Sequence, residues 1–283
     1  MRRKCKGEMR RSRRSVCGSV TRRAAAGVAL VLACTLAGPA VAVPGTSAEV
    51  PAAVASVVRV EGPAVTLRAK EEGDLPRVFC PQGQTSTGGG IRVNPNNGVF
   101  IRGASPGGTG YDVSVDNLSD EPRTVTPLVI CTTDPTITHQ VGPTAVGDEA
   151  ISDAQCPQGQ VAAGGGATAA RHNYLSRSFS GGTYWSARAK SQGGLYKGVN
   201  AFARCSSRPH SRASSSITLP AGGVGTAHTE CPSGQVPTAG GGTGHSNVLH
   251  NASSPTATGW DLRATNADNV EHLLIVDVVC TTP

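Results

Sequence analysis

Three stretches of the chain alternate apolar and polar residues with a period of two. Trp260, Leu262 and Ala264 alternate with Asp261, Arg263 and Thr265. Tyr111, Val113 and Val115 alternate with Asp112, Ser114 and Asp116, and Trp185, Ala187 and Ala189 with Ser186, Arg188 and Lys190. An apolar residue at every second position turns one face of a strand into a core and leaves the other to solvent. Turn-rich segments follow, such as Asn117 to Pro122 and Asn266 to Asn269, and then a second run that ends on a cysteine. In the last of these runs Leu274, Val276, Val278 and Cys280 share one face. No window of about 11 residues downstream of the leader offers an amphipathic helix with caps. The pattern predicts an all-β protein.

The cysteines show that the pattern is repeated. Cys80, Cys156 and Cys231 are 76 and 75 positions apart, and Cys131, Cys205 and Cys280 are 74 and 75 apart. The first of each pair opens Cys-Pro-x-Gly-Gln, and a triple glycine follows at Gly88–Gly90, Gly164–Gly166 and Gly240–Gly242. In the third copy the glycines come one residue later, beside Pro237, which suggests a bulge there. Tyr111, Trp185 and Trp260 each stand 20 positions before the second cysteine. This predicts three pseudo-repeats, 60–135, 136–209 and 210–283, after a linker at 43–59.

Six cysteines in an exported chain read as a disulfide framework. The simplest pairing is Cys80–Cys131, Cys156–Cys205 and Cys231–Cys280, each closing a loop that contributes about 4 kcal/mol in the chain-entropy model. Each unit is read as about four strands: one entering the Cys-Pro turn, one carrying the glycines, the aromatic strand and the cysteine return. Three such sheets can close around a pseudo-threefold axis as a β-prism, or stand as separate small domains. The short spacers favour the prism-like body.

Composition changes the picture in one respect. The formal charge of +7 invites a nucleic-acid reading, but residues 1–42 hold ten Lys/Arg and one acid, whereas 43–283 hold sixteen and eighteen. The basic excess therefore belongs to the leader, and no nucleic-acid partner is expected. That leader reads as a signal peptide, residues 1–42: a basic segment to Arg23, an apolar stretch Ala24 to Leu36, and small residues at Ala40-Val41-Ala42. Met9 is an alternative start. The apolar stretch is too short for a membrane span of about 20 residues. The expected product is secreted; the alternative is a lipoprotein anchored at Cys34 through Val31-Leu32-Ala33-Cys34.

The Cys-Pro-x-Gly run, the triple glycine, Gly259-Trp260 and the closing Val-Cys resemble a repeat of secreted proteins in high-GC Gram-positive bacteria. That resemblance spans about residues 60–283 and implies no assigned activity. In architecture the chain also resembles the vitelline membrane outer layer protein, a β-prism. Copies one and two depart from the repeat pattern: Tyr111 stands for the Trp, and Tyr184 precedes Trp185.

No catalytic residue is assigned. Gly103-Ala104-Ser105-Pro106-Gly107 matches a G-x-S-x-G elbow, but Pro106 lacks the N–H that the oxyanion hole would need. This stretch is read as a loop between strands. The histidines are not at metal-ligand spacing: His245 and His250 are five apart, with no nearby acid or free cysteine to complete a site. No metal and no cofactor are expected.

The copies differ in charge. Between its cysteines copy two has six basic residues, Arg171, Arg177, Arg188, Lys190, Lys197 and Arg204, and no acid. It also holds six of the ten aromatic residues: Tyr174, Phe179, Tyr184, Trp185, Tyr196 and Phe202. With Cys205 inward, Phe202 and Arg204 are expected to face outward. The candidate binding set is Arg171, Tyr174, Arg177, Tyr184, Trp185, Arg188, Lys190 and Tyr196, facing anionic cell-wall polymer or extracellular glycan. Drift on a solvated surface is the alternative account of this asymmetry. The functional reading is a non-enzymatic surface-binding protein; the alternatives are an extracellular hydrolase with a loop-built site, or a structural, coat-like protein. Oligomeric state is left open.

Overall fold

A computed structural model describes residues 55–95, 97–147, 149–193 and 198–283. The leader, its cleavage site, Cys34, Tyr196 and Lys197 lie outside the described residues. Every regular element among the described residues is a strand. Repeat 1, whose first strand begins at Val57 inside the expected 43–59 linker, carries β1 (Val57–Glu61), β2 (Val65–Leu67), β3 (Glu72–Asp74), β4 (Val78–Phe79), β5 (Thr85–Asn94), β6 (Val99–Gly107), β7 (Gly110–Asn117) and β8 (Arg123–Thr132). Repeat 2 carries β9 (Thr138–Val141), β10 (Ser152–Gln155), β11 (Val161–Ala169), β12 (Asn173–Ser180), β13 (Tyr184–Ser191) and β14 (Val199–Ser206). Repeat 3 carries β15 (Ser211–Leu219), β16 (Val224–Glu230), β17 (Val236–Gly244), β18 (Val248–Pro255), β19 (Gly259–Asn266) and β20 (His272–Thr281).

These strands form three antiparallel sheets, here called walls. Wall I runs β16-β19-β18-β5-β8-β1, with β2 also on β8; wall II runs β3-β7-β6-β11-β14-β9, with β4 also on β7; wall III runs β10-β13-β12-β17-β20-β15. The expectation of one four-stranded sheet per repeat is therefore corrected. Each wall joins three or more strands of one repeat to those of the next, at the seams β18·β5, β6·β11 and β12·β17. The repeats are not separate domains, since each lends half its strands to a neighbouring wall. The strands missed are β6, β12 and β18 inside the copies and the opening strands β1, β2, β3, β9 and β15. Gly103–Gly107, read as a loop, belongs to β6.

The disulfides pair as expected, Cys80–Cys131, Cys156–Cys205 and Cys231–Cys280. Their placement follows from the shared walls. Cys80, Cys156 and Cys231 directly follow β4, β10 and β16, while their partners lie in β8, β14 and β20. Each bridge thus ties two walls together, and the three bridges staple all three.

The core explains the glycines. Tyr111, Trp185 and Trp260 are buried, and an added Cβ at Gly89, Gly165 or Gly240 would strike the ring of its own repeat's aromatic residue. The Trp185 Nε1 donates to Ser178 Oγ at 3.0 Å and Trp260 Nε1 to Ser253 Oγ at 2.9 Å. Repeat 1 replaces both members, with Tyr111 and Ala104 at the corresponding positions.

All three glycine strands bulge at the same place, at Thr87, Ala163 and Thr238, so the bulge is not special to repeat 3. These bulges meet: Thr87 Oγ1 donates to Thr238 O at 2.8 Å, and Thr238 Oγ1 to Ala163 O at 2.7 Å. The next residues are Gly88, Gly164 and Ala239. A Cβ on Gly88 would lie 2.6 Å from that of Ala239, and one on Gly164 2.9 Å from it. The meeting point has room for one methyl group, and Ala239 supplies it. That is why the third glycine run starts late.

Candidate functional site

The copy-two residues do not form one face. Because repeat 2 is split, β11 and β14 lie in wall II and β12 and β13 in wall III. Arg204, on β14, is 4% exposed, covered by Ser86 and the turn at Gly108, whose carbonyl accepts from its Nη2 at 3.0 Å. Burial, and then the nearby Arg77, lowers its pKa to about 10. The expectation that it faces solvent is corrected. Phe202 is half-buried and stacks on His139.

Several members of the candidate set turn inward. Trp185 is fully buried, and Tyr174 is 2% exposed, its hydroxyl donating to Asp116 Oδ2 at 3.0 Å. Burial and Asp116 raise the Tyr174 pKa. Neither ring offers a face to a sugar. Arg188 stands on the outward register of β13 but is 8% exposed, held by Ser176 Oγ, Glu149 Oε2 and Gly244 O. Glu149 supplies the acid that the count between the cysteines omitted. Arg171 is exposed and pairs with Glu72 of repeat 1 at 3.5 Å. Tyr184 is half-buried, lying across Gly181. Lys190 is half-buried and engaged by neighbours.

What wall III does present is a ridge built from two repeats. Arg177 and Phe179 project from the outer face of β12, and Arg212 reaches in from β15. The guanidinium carbons of Arg177 and Arg212 lie 5.4 and 6.0 Å from the Phe179 ring centroid. Arg177 donates to Thr243 Oγ1 and Ser186 Oγ and has no carboxylate partner among the described residues. Arg212 Nη2 donates to Asp277 Oδ2 at 2.7 Å. Asp277 is 2% exposed, and burial raises its pKa to about 6 against the opposing pull of Arg212. Arg212 lies outside the copy-two window, so counting charges between cysteines could not find it.

Two other groupings stand out. His245, Asp268 and His272 of repeat 3 place a ligand atom each within 4.8 Å of one another. This corrects the reading that no acid lies near His245. Glu72, Asp116 and His172 form a second group, but Arg102 Nε and the Tyr174 hydroxyl occupy both oxygens of Asp116. His228 Nδ1 also lies 2.7 Å from Asp261 Oδ1, yet the Ser215 hydroxyl donates to the backbone carbonyl of His228, so these three do not form a nucleophile relay. Ser105, the serine of the elbow-like stretch, is 6% exposed within β6.

Fold and surface together define a class: an all-β, three-repeat body with shared walls and three wall-to-wall disulfides. No protein-family model matches the sequence, and no curated protein does. No helix among the described residues is long and apolar enough to cross a membrane.

Proposed function

We propose that this chain is a secreted, non-enzymatic protein that binds an anionic polymer, cell-wall polymer or extracellular glycan, on the outer face of wall III. The observation that carries the reading is the Arg177–Phe179–Arg212 ridge. It offers two guanidinium groups for anionic oxygens beside a partly exposed aromatic ring. Arg177 supports it most, because its charge is not neutralised by a neighbouring carboxylate. The export leader and three disulfides support an oxidising, extracellular setting.

The test is binding of purified anionic wall polymer to the disulfide-bonded protein across a salt series. Attraction between exposed charges is screened beyond about 8 Å at physiological ionic strength, so affinity should fall as salt rises. Arg177→Ser with Arg212→Gln should weaken binding roughly tenfold or more, at about 1.4 kcal/mol per decade. Arg263→Gln on wall I should leave it unchanged. A wild-type protein that ignores the polymer at low salt overturns the proposal.

A further inference from the structure

The fold brings together three side chains whose chemistry points away from polymer binding. His245 sits in the turn after β17, Asp268 in the turn between β19 and β20, and His272 opens β20. Both turns lie at the same corner because β17 pairs with β20. The His272 Nε2 is 2.8 Å and the His245 Nδ1 3.7 Å from the same oxygen, Oδ2 of Asp268. That carboxylate is fixed by its own neighbours: Asn247 Nδ2 donates to Oδ2 at 3.0 Å and the Asn269 N–H to Oδ1 at 2.8 Å. Such outer hydrogen bonds aim a carboxylate before an ion arrives.

Corresponding positions in the other repeats, counted back from the second cysteine, carry no such set. Ser119 and Arg123 stand in repeat 1 for Asp268 and His272, and Ala170 and Gly193 stand in repeat 2 for His245 and Asp268. By sequence the donors are confined to repeat 3.

We propose that His245, Asp268 and His272 form a binding site for a divalent transition-metal ion of the zinc class. Two imidazole nitrogens and one carboxylate oxygen are the donors such ions take, at bonds of about 2.0–2.2 Å. Calcium and magnesium prefer oxygen sets, so neither is the expected occupant. Water completes the coordination, because His245 is 46% exposed and the site opens to solvent. One adjustment is required. The two imidazoles stack with centroids 4.1 Å apart and planes within 5° of parallel. A shared ion lies in the plane of each ring, so the rings must tilt towards each other. His245, in an exposed turn, is the one placed to move. At the Glu72–Asp116–His172 group the Arg102 guanidinium already bonds Asp116, which makes it a natural control.

Calorimetric titration of the intact, disulfide-bonded protein with zinc chloride tests the site. One ion per chain is expected. His272→Ala and Asp268→Asn should each weaken uptake roughly tenfold or more, on the scale seen when metal-site residues are altered. His172→Ala and His228→Ala should bind as wild type does. Zinc should also raise the thermal midpoint of the wild type and of His172→Ala but not of His272→Ala, with circular dichroism confirming that each variant folds. X-ray absorption of the zinc-loaded protein should count two imidazole nitrogens. Absence of stoichiometric uptake, or uptake that survives the His245→Ala/His272→Ala double replacement, overturns the site.

Discussion

The outer faces of walls I and III use corresponding strands, yet one is hollowed and the other raised. In wall III the positions after the bulge of β12 are filled by Arg177 and Phe179. The same positions on β18 of wall I hold Ala252 and Ser254. The result there is a shallow groove of about 210 Å³, lined by Arg92, Thr226, Ala252, Ser254, Asp261 and Arg263. Of its two cations, Arg92 pairs with Glu61, while Arg263 donates to the Thr226 hydroxyl. Strand register places a side chain on the face; side-chain volume decides between ridge and groove. One backbone thus displays two surfaces without any change in pairing.

Buried titratable groups separate the walls most strongly. His250 of wall I occupies the place held by Leu175 and Ile101 in the other repeats. Burial, and then Arg188, lowers its pKa to about 3, and its Nε2 has no partner. The unfolded chain accepts a proton that the folded chain refuses, so this contribution is intact above about pH 6.5 and is lost as pH falls towards 3. Asp277 of wall III, raised to about 6, acts oppositely: the folded chain keeps a proton between about pH 4 and 6, and that contribution disappears as pH rises through 6. His250→Leu should gain roughly 2 kcal/mol at pH 5 in urea unfolding. Asp277→Asn should flatten the opposing trend between pH 4 and 6. An unaltered acid limb in His250→Leu would show that His250 does not set it.

The meeting point of the glycine strands sets wall I against wall III more locally. Gly88→Ala should cost about 1–3 kcal/mol as an overpacking change. Adding Ala239→Gly should recover about 1 kcal/mol, and only in part, since Thr238 O would still lie 2.8 Å from the new methyl. Strict additivity in the double-variant cycle would mean that the two positions do not share space.

The smallest effect is a transplant. Ala252→Arg with Ser254→Phe should build a second ridge on wall I and raise polymer capacity roughly twofold. An unchanged capacity would locate the specificity of wall III outside these two side chains.

The sequence made the repeats, the cysteine pairs and the inward faces legible. Trp260, Leu262 and Ala264 are all fully buried, as their alternation predicts. The exchange of strands between walls was not legible, because β6, β12 and β18 carry small or polar inward residues such as Ala104, Ser178 and Ser253. Ser178 and Ser253 accept from the indoles of Trp185 and Trp260, so the period-two signal fades where the rings are held. Arg188 shows a second limit. Alternation assigned its face correctly, but could not foresee that Glu149 and Gly244 would cover that face. Likewise His245 and His272 are brought to one corner by the pairing of β17 with β20, which no local spacing encodes.

The seam between β18 and β5 also orders the birth of the molecule. Repeat 1 is made first, but β5 finds its outer neighbour only after Val248–Pro255 has emerged, and that strand in turn pairs with Gly259–Asn266. Until then β5 presents an open edge of unpaired backbone groups, a template for any passing strand. A nascent or truncated chain that stops short of Asn266 is therefore exposed to mispairing with its own siblings, however sound its first two repeats. The earliest part of the protein is the last to be finished.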